Sequence, residues 1–474
     1  MEKSIIRPGA GGLIAVAIVS AIMACSIFVN SVNHNPIVSD GLENLTIAKN
    51  IISYSSFSAG SPENPDMARE PAWPVLAALV IYLASLENIP VDSLATHYSY
   101  VWKIINILIY AISIGIAASY FYFTTHNKYF LAFFLILTFA LYGTMPWLIN
   151  NFYNEALATL LVLINSILFY EIMKGRLIDS RYFAPVLFGI LSGFLALTKA
   201  QFLYICIPVI FILLVNNKKK AFIIFLAMFF VCAPWIYRNY TLFGEPAIAN
   251  RGKTVAAVRI ILTSEPTPQE YPCMAYAFSH PEIQPYLESF LGVKKFDFSH
   301  GEKCQKLNRE LCFYMGTIRV RCEPFPEDIY STDWKSKVQY FYRGHYAGRL
   351  IEKNQLSFKN IAVFDSKFAK NYLKTLPLFA WRGFGFSDYP LFSVIVSFSV
   401  FGLLLTPYWP LALLCVSSQL FHIFFTHNVP RYHAIEFPVL VFSAICLLWL
   451  FWSKYFRPLN LFGRKSIREE KKNS

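Results

Sequence analysis

The chain has 474 residues, 55% of them hydrophobic and 17% aromatic, with 15% charged and a mean hydropathy of +0.43. Soluble domains carry about 25% charged residues, so these figures exclude a water-soluble globular protein, and windows of roughly 20 apolar residues read as bilayer-spanning helices. The net charge of +13 falls in short basic runs between apolar stretches, a topology signal without the aromatic-interleaved patch of a nucleic-acid partner.

In chain order, the first helix is expected over about 11–30, around the apolar run from Leu13 to Val29. Met1 to Ala24 has the outline of a signal peptide, but Met23 fits poorly beside a cleavage site and many spans follow. The segment is read as a retained helix. The first external loop, 31–71, carries the acidic stretch Ser39-Asp40-Gly41-Leu42-Glu43 and runs on to Asn50. A carboxylate at the mouth of a membrane protein is costly to dehydrate and is kept for a reason. Ser39 or Asp40 also stands where it would cap the following helix, worth about 1 kcal/mol. The stretch 72–88 starts with Pro71 and Pro74, ends at Glu87 and is the shortest apolar run, so it is read as a juxtamembrane helix lying in the interface.

Spans are then expected at 99–123, 129–148, 155–173, 183–198, 201–216 and 221–236. A polar segment follows at about 239–370, and further spans at 389–406, 408–425 and 437–453. The fold expected is an all-α polytopic membrane protein with about ten spans and both termini cytoplasmic. Lys128, Lys174, Arg176, Arg181, Lys218–Lys220 and the basic tail face the cytoplasm, which puts Asp40, Asn150–Glu155 and the polar segment outside. The chain divides into a transmembrane module, 1–238, an external subdomain, 239–388, and a C-terminal membrane unit, 389–474.

Cys25, Cys206, Cys232, Cys415 and Cys446 sit in apolar runs, where a thiol is a small core residue. Cys273, Cys304, Cys312 and Cys322 all fall in the external segment, where two disulfides with three possible pairings are expected. Zinc is the competing reading, but the spacings match no ribbon or finger and no His clusters with them.

The order of motifs resembles the membrane-embedded C-type (GT-C) glycosyltransferases, in particular the branch of the protein O-mannosyltransferases and the lipid A aminoarabinose transferase. The residues that carry the likeness begin with Asp40-Gly-Leu-Glu-Asn-Leu45-Thr-Ile-Ala48 in the first external loop and Arg69-Glu70-Pro71 before the juxtamembrane helix. A second acidic site, Asn150-Asn-Phe-Tyr-Asn154-Glu155, follows the third span. Gly193-Phe-Leu-Ala-Leu-Thr198-Lys199, Pro234-Trp235-Ile-Tyr-Arg238-Asn239 and a late Arg431-Tyr432 step complete the series. Together they cover most of 10–245 and again 425–440. The family often has a second acid directly after the first; here Gly41 takes that place and Glu43 stands two residues on. Segment 245–370 matches no pattern of the family.

The resemblance implies a polyprenyl-phosphate sugar donor, an acceptor that is a glycan, lipid or protein, and a site on the outer face of a plasma membrane, bacterial inner membrane in type. Asp40 is the expected catalytic base, since a placed carboxylate gives typically ~10²–10⁴-fold in rate. Glu155 is expected to orient the acceptor, to share a divalent cation with Asp40, or simply to favour its helix N-terminus. Two carboxylates without a neighbouring His make a weak cation site, so no metal or other cofactor is expected to be required. Lys199, Arg238 and Arg431, with Tyr432, are candidates for holding the donor phosphate; snorkelling at helix ends is their ordinary alternative. Arg69 and Glu70 shape the entrance or form a plain ion pair, and Glu43 supports the substrate site. No spacing pairs His345, His422, His427 and His433. Two other classes compete. A lipid-linked oligosaccharide polymerase or ligase would rest on Arg343, His345 and Arg349 with Asp40 dispensable. A transporter or flippase would show repeats and mid-membrane charges; the apolar spans here carry few charges and no internal repeat is found.

Overall fold

Large apolar side chains point outward along most of the long helices, and that inversion organises the architecture. Ile14, Ile18 and Ile22, then Ile207 and Phe211, then Phe222, Phe229 and Phe230, are all more than half exposed. Lipid rather than water is the solvent such faces require. The computed structural model describes residues 10–91, 98–143, 145–175, 182–264, 364–385 and 389–455 (less 427 and 430), most of 266–297, and scattered positions up to 359. Among these, every regular element is helical.

The elements are α1 (Ala10–Val29), α2 (Asp40–Tyr54), α3 (Ala72–Ser85), α4 (Ser99–Thr125), α5 (Lys128–Gly143), the short α6 (Pro146–Asn150), α7 (Glu155–Lys174), α8 (Phe183–Thr198), α9 (Phe202–Asn216) and α10 (Lys218–Phe243). After them come α11 (Arg251–Ser264), α12 (Tyr271–Ala277), α13 (Gln284–Leu291), α14 (Ser366–Phe384), α15 (Pro390–Leu403), α16 (Trp409–Phe425), the single turn α17 (Arg431–Ala434) and α18 (Phe437–Tyr455). Four of them, α1, α4, α7 and α10, are long and apolar enough to cross a membrane. Helices α3, α5, α8, α9, α15, α16 and α18 are shorter and apolar.

Packing follows from side-chain size. Gly189 and Gly193, four residues apart, let α8 lie directly on α10: a Cβ at Gly189 would come 2.5 Å from the Ile224 carbonyl oxygen, and one at Gly193 2.6 Å from Val231 Cβ. Small residues at this spacing allow close approach where no hydrophobic force drives helices together. Helix α7 is the hub, packed on α4, α8, α16 and α18. Aromatic contacts knit α4, α5 and α18, with Phe121 5.4 Å from Phe134 and 5.2 Å from Phe442 between ring centroids. Helix α3 buries Trp73, Pro74, Ala77, Ala78 and Ile81 on one face. Its opposite face leaves Val75, Leu79, Tyr82 and Leu83 about half exposed, and 14 residues rise only about 21 Å.

Three boundaries depart from the sequence pattern. The apolar run 129–148 is not one helix: α5 stops at Gly143, and Pro146 opens a separate turn of five residues, since proline lacks the N–H an interior position needs and is accepted at a first turn. The run 221–236 is too short, because α10 extends from Lys218 to Phe243 with Pro234 inside it. Asn239, fully buried at its polar end, donates to the carbonyls of Ala247 and Ile248 at 2.7 and 3.1 Å, tying the extra turn to the chain that follows. Helix α14 continues the polar segment to Phe384, with Phe379 and Trp381 against the cluster formed by α11 and α12. In that cluster Cys273 and Cys304 form a disulfide, which decides one pairing against zinc. Cys312 and Cys322 lie outside the described residues, as do Arg343, His345 and Arg349.

A charged cluster at one end of the bundle

The loops at one end of the bundle are held by buried polar side chains. Lys103, fully buried on α4, donates to Asn33 O, Asn33 Oδ1 and Asn35 O at 2.8, 2.9 and 2.6 Å. Asn150 accepts from Asn33 N at 2.8 Å and donates to Ser31 O at 2.9 Å. Asn106 donates to Asn151 O at 2.6 Å, and Asn44 and Trp73 both donate to Phe152 O at 3.3 Å. Buried polar groups of this kind survive in an apolar bundle only when paired. Together they lock the first loop, α2 and the 150–154 turn against one another.

That frame places Asp40 at the first turn of α2. The capping role does not materialise: Ser39 is the cap residue, makes no side-chain capping bond, and has φ 54° and ψ −132°, a conformation costing about 1–3 kcal/mol for a residue with a Cβ. Gly41, directly after Asp40, has no room for a side chain. A Cβ there would lie 2.7 Å from Ile37 Cγ2 and 3.0 Å from Phe152 N. Glu43, one helical turn after Asp40, supplies the second carboxylate on the same face.

Four cations converge on Asp40, Glu43 and Glu155. Arg69 donates to Asp40 Oδ1, and through Nε to Glu43 Oε2 at 2.7 Å. Arg251, from the first turn of α11, reaches Asp40 Oδ1 at 3.2 Å and Glu43 Oε2 at 2.9 Å. Arg431 of α17 holds Asp40 Oδ2 at 2.9 Å and lies 4.0 Å from Glu155 Oε1. Lys199, at the end of α8, donates to that same Glu155 oxygen at 3.0 Å. Burial pushes the Asp40 carboxyl up, but the guanidinium of Arg431, the hydrogen bond and charge of Arg69 and the charge of Arg251 outweigh it and hold the acid far below the usual carboxylate range. Arg69 moves up in turn: burial opposes its charge, and Asp40, Glu43 and Glu70 more than restore it.

The cluster has a closed side and an open side. The Arg69 side chain is 7% exposed, Lys199 7% and Glu155 3%, whereas Glu43, Arg251 and Arg431 are 40, 37 and 33% exposed. Asp40 lies between, at 16%. The Glu155 Oε2 atom is buried without a hydrogen-bond partner. Tyr432 stacks on His422 with centroids 4.6 Å apart, and the Lys199 ammonium sits 5.8 Å from the Tyr432 ring. Burial, opposed by Arg431, raises the Tyr432 phenol.

Of the residues expected from sequence, Asp40, Glu43, Arg69, Glu155, Lys199, Arg431 and Tyr432 therefore meet. Glu70 stands at the edge, accepting from Ala200 N at 3.4 Å. Arg238 does not join them. It packs 4.5 Å from the Trp235 ring and 5.4 Å from Phe57, and donates to Asp66 O at 3.3 Å and Asn239 Oδ1 at 2.7 Å, so its contacts anchor the first loop. Sequence reasoning missed Arg251, Tyr153, whose ring lies 5.5 Å from the Arg431 guanidinium, and the proximity of His422 to His433, 5.8 Å between centroids. A signal for Arg251 exists: it is a basic residue in a segment the positive-inside rule puts outside. Among the described residues no group of three or more His, Cys, Asp or Glu side chains is placed to hold a metal ion.

The architecture and the cluster define a helical membrane protein with a network of buried and half-buried ion pairs at one end of the bundle. Comparison with protein-family models, with curated proteins and with solved structures returns no match.

Proposed function

We propose that the protein is a glycosyltransferase of the GT-C kind, moving a sugar from a polyprenyl-phosphate donor to an acceptor on the extracytoplasmic side. The observation that carries the reading is the convergence of Arg69, Arg251, Arg431 and Lys199 from four distant parts of the chain onto Asp40, Glu43 and Glu155. Charges so close to an apolar bundle are costly, and guanidiniums suit a planar anion or phosphate. In this reading the protein has ten spans, namely α1, α4, α5, α7–α10, α15, α16 and α18. Both termini are cytoplasmic, the cluster faces outward at the membrane boundary, and α3 lies in the interface. A bacterial inner membrane fits such a donor.

A polyprenyl carrier cannot leave the bilayer, because each buried methylene is worth about 0.8 kcal/mol, so its phosphate must be met at the boundary where the cluster lies. The acceptor oxygen or nitrogen attacks the anomeric carbon, and the bond from that carbon to the phosphate oxygen breaks with its electron pair. The guanidiniums balance the charge that appears on the leaving phosphate. Asp40 takes the acceptor's proton. The cations supply the positive charge a metal otherwise brings, so the reaction requires none.

The test is sugar transfer by purified protein in nanodiscs, with a panel of polyprenyl-phosphate sugars, comparing wild type with Asp40→Asn. Transfer by the wild type and its loss in a folded variant supports the assignment. Full activity in Asp40→Asn removes Asp40 as base, and absence of transfer with every donor and acceptor class removes the glycosyltransferase reading.

A further inference from the structure

Every oxygen of Asp40 is taken. Arg69 and Arg251 share Oδ1, and Arg431 holds Oδ2. A base in that state has little proton affinity, and cations so engaged have little to offer a phosphate. Both roles of the cluster are blocked at once, by the same contacts.

The two blocks have a common release. Two planar guanidiniums reach a carboxylate from the open side of the cluster, where Arg251 and Arg431 are each about one-third exposed, while Arg69 holds Asp40 and Glu43 from the closed side. Carboxylate and phosphate present similar oxygen edges to a guanidinium fork. We propose that the Asp40 carboxylate, assisted by Glu43, occupies the seat of the substrate's phosphate group, and that an arriving prenyl phosphodiester displaces it from Arg251 and Arg431. Arg69 keeps Asp40 in place during the exchange. The displaced carboxylate regains proton affinity because two of its three counter-charges now face the phosphate. Base and phosphate seat thereby become competent in the same event, and without donor the acid remains neutralised. The proposal rests on the donor class argued above and adds the order of events at that site.

The exchange makes a prediction with a sign opposite to that of a scaffold role. If Asp40 merely orients the arginines, Asp40→Asn loosens the seat and weakens phosphate binding. If Asp40 competes for the seat, the variant binds more tightly. Binding of a short-chain prenyl phosphodiester to the full chain in nanodiscs is measured calorimetrically, with a soluble phosphodiester and inorganic phosphate as parallel probes. The expected result is roughly tenfold tighter binding by Asp40→Asn, equal to one charge-assisted contact no longer lost to the carboxylate. Glu43→Gln is expected to tighten binding severalfold, and Arg251→Gln to weaken it roughly tenfold.

Tightening for all three probes assigns the seat to the phosphate group itself, and tightening for the prenyl probe alone assigns it to the lipid headgroup; either supports displacement. Unchanged or weaker binding by a folded Asp40→Asn overturns it. Should that variant fail to fold, the more exposed Glu43→Gln decides in the same way. Tighter binding in a protein that transfers no sugar leaves the displacement standing and removes the glycosyltransferase reading. Weaker binding in a protein that does transfer sugar removes the displacement alone.

Discussion

The two acidic positions of the cluster are built on opposite principles. On α2, Asp40 meets three guanidiniums, is partly open, and sits beside a second carboxylate that shares two of them. On α7, Glu155 is almost completely buried, meets the Lys199 ammonium at 3.0 Å with Arg431 farther off at 4.0 Å, and keeps one oxygen without a hydrogen bond. The first arrangement has exchangeable partners on its open side. The second is a closed pair whose partners cannot be replaced without leaving a charge in an apolar interior. One end of the bundle thus contains an acid with partly open cationic partners beside a buried ion pair that joins the end of α8 to α7.

The largest effect expected from breaking this contrast is on Asp40. Asp40→Asn is expected to lower the rate of sugar transfer by about 10²–10⁴-fold, read from initial rates at saturating donor, while the variant's thermal midpoint stays close to wild type. A rate within threefold of wild type ends the catalytic assignment. Next in size is the closed pair. Lys199→Met strands Glu155 and is expected to cost about 3–5 kcal/mol, seen as a fall in the unfolding midpoint in detergent. The double variant Lys199→Met/Glu155→Leu should recover most of that loss. A single variant as stable as wild type would show that Glu155 is not confined by Lys199.

Outside the cluster, Cys273→Ser opens a disulfide spanning 31 residues and is expected to cost about 2–4 kcal/mol in the polar segment between α10 and α15. Protease resistance of that segment, compared with the membrane-embedded part, is the readout; equal resistance in both proteins contradicts the expectation. Smaller again, Arg251→Gln is expected to raise the donor KM roughly tenfold, about 1.4 kcal/mol, with little change in stability. An unaltered KM would place Arg251 outside the phosphate seat. The smallest change is expected from Arg238→Gln, which gives up ring contacts worth about 0.5–1 kcal/mol and leaves donor affinity as it was. A large rise in donor KM there would return Arg238 to the site.

Much of this was legible before any coordinate. Helices α7 to α9, α15, α16 and α18 fall within a few residues of the apolar runs that announced them, and α3 begins between the two prolines, Pro71 and Pro74, that marked its start. Asp40 was singled out because a charge at the edge of an apolar run is rare and expensive, and Arg69, Glu155, Lys199 and Arg431 because they stand in motifs that resemble those of the GT-C glycosyltransferases. The same signal also picked Arg238, and it could not tell the two outcomes apart. Arg238 has aromatic rings within reach and folds back on the first loop; Arg431, in a short turn, points at two acids. The break after Gly143 was written in Pro146 but hidden by a continuous run of apolar side chains.

By itself, the sequence determined the membrane class, the helical character and the approximate position of each apolar helix. Hydropathy is a sum over neighbouring residues, and a bilayer tests each segment for it one at a time. Only the tertiary structure decided which charges meet. Arg251 is 211 residues from Asp40, and Lys199 is 44 residues from Glu155. No periodicity along the chain encodes such distances. They follow from glycine-mediated contact of α8 with α10, from a buried lysine holding the first loop, and from the packing of α7 among its neighbours, each a property of the assembled bundle.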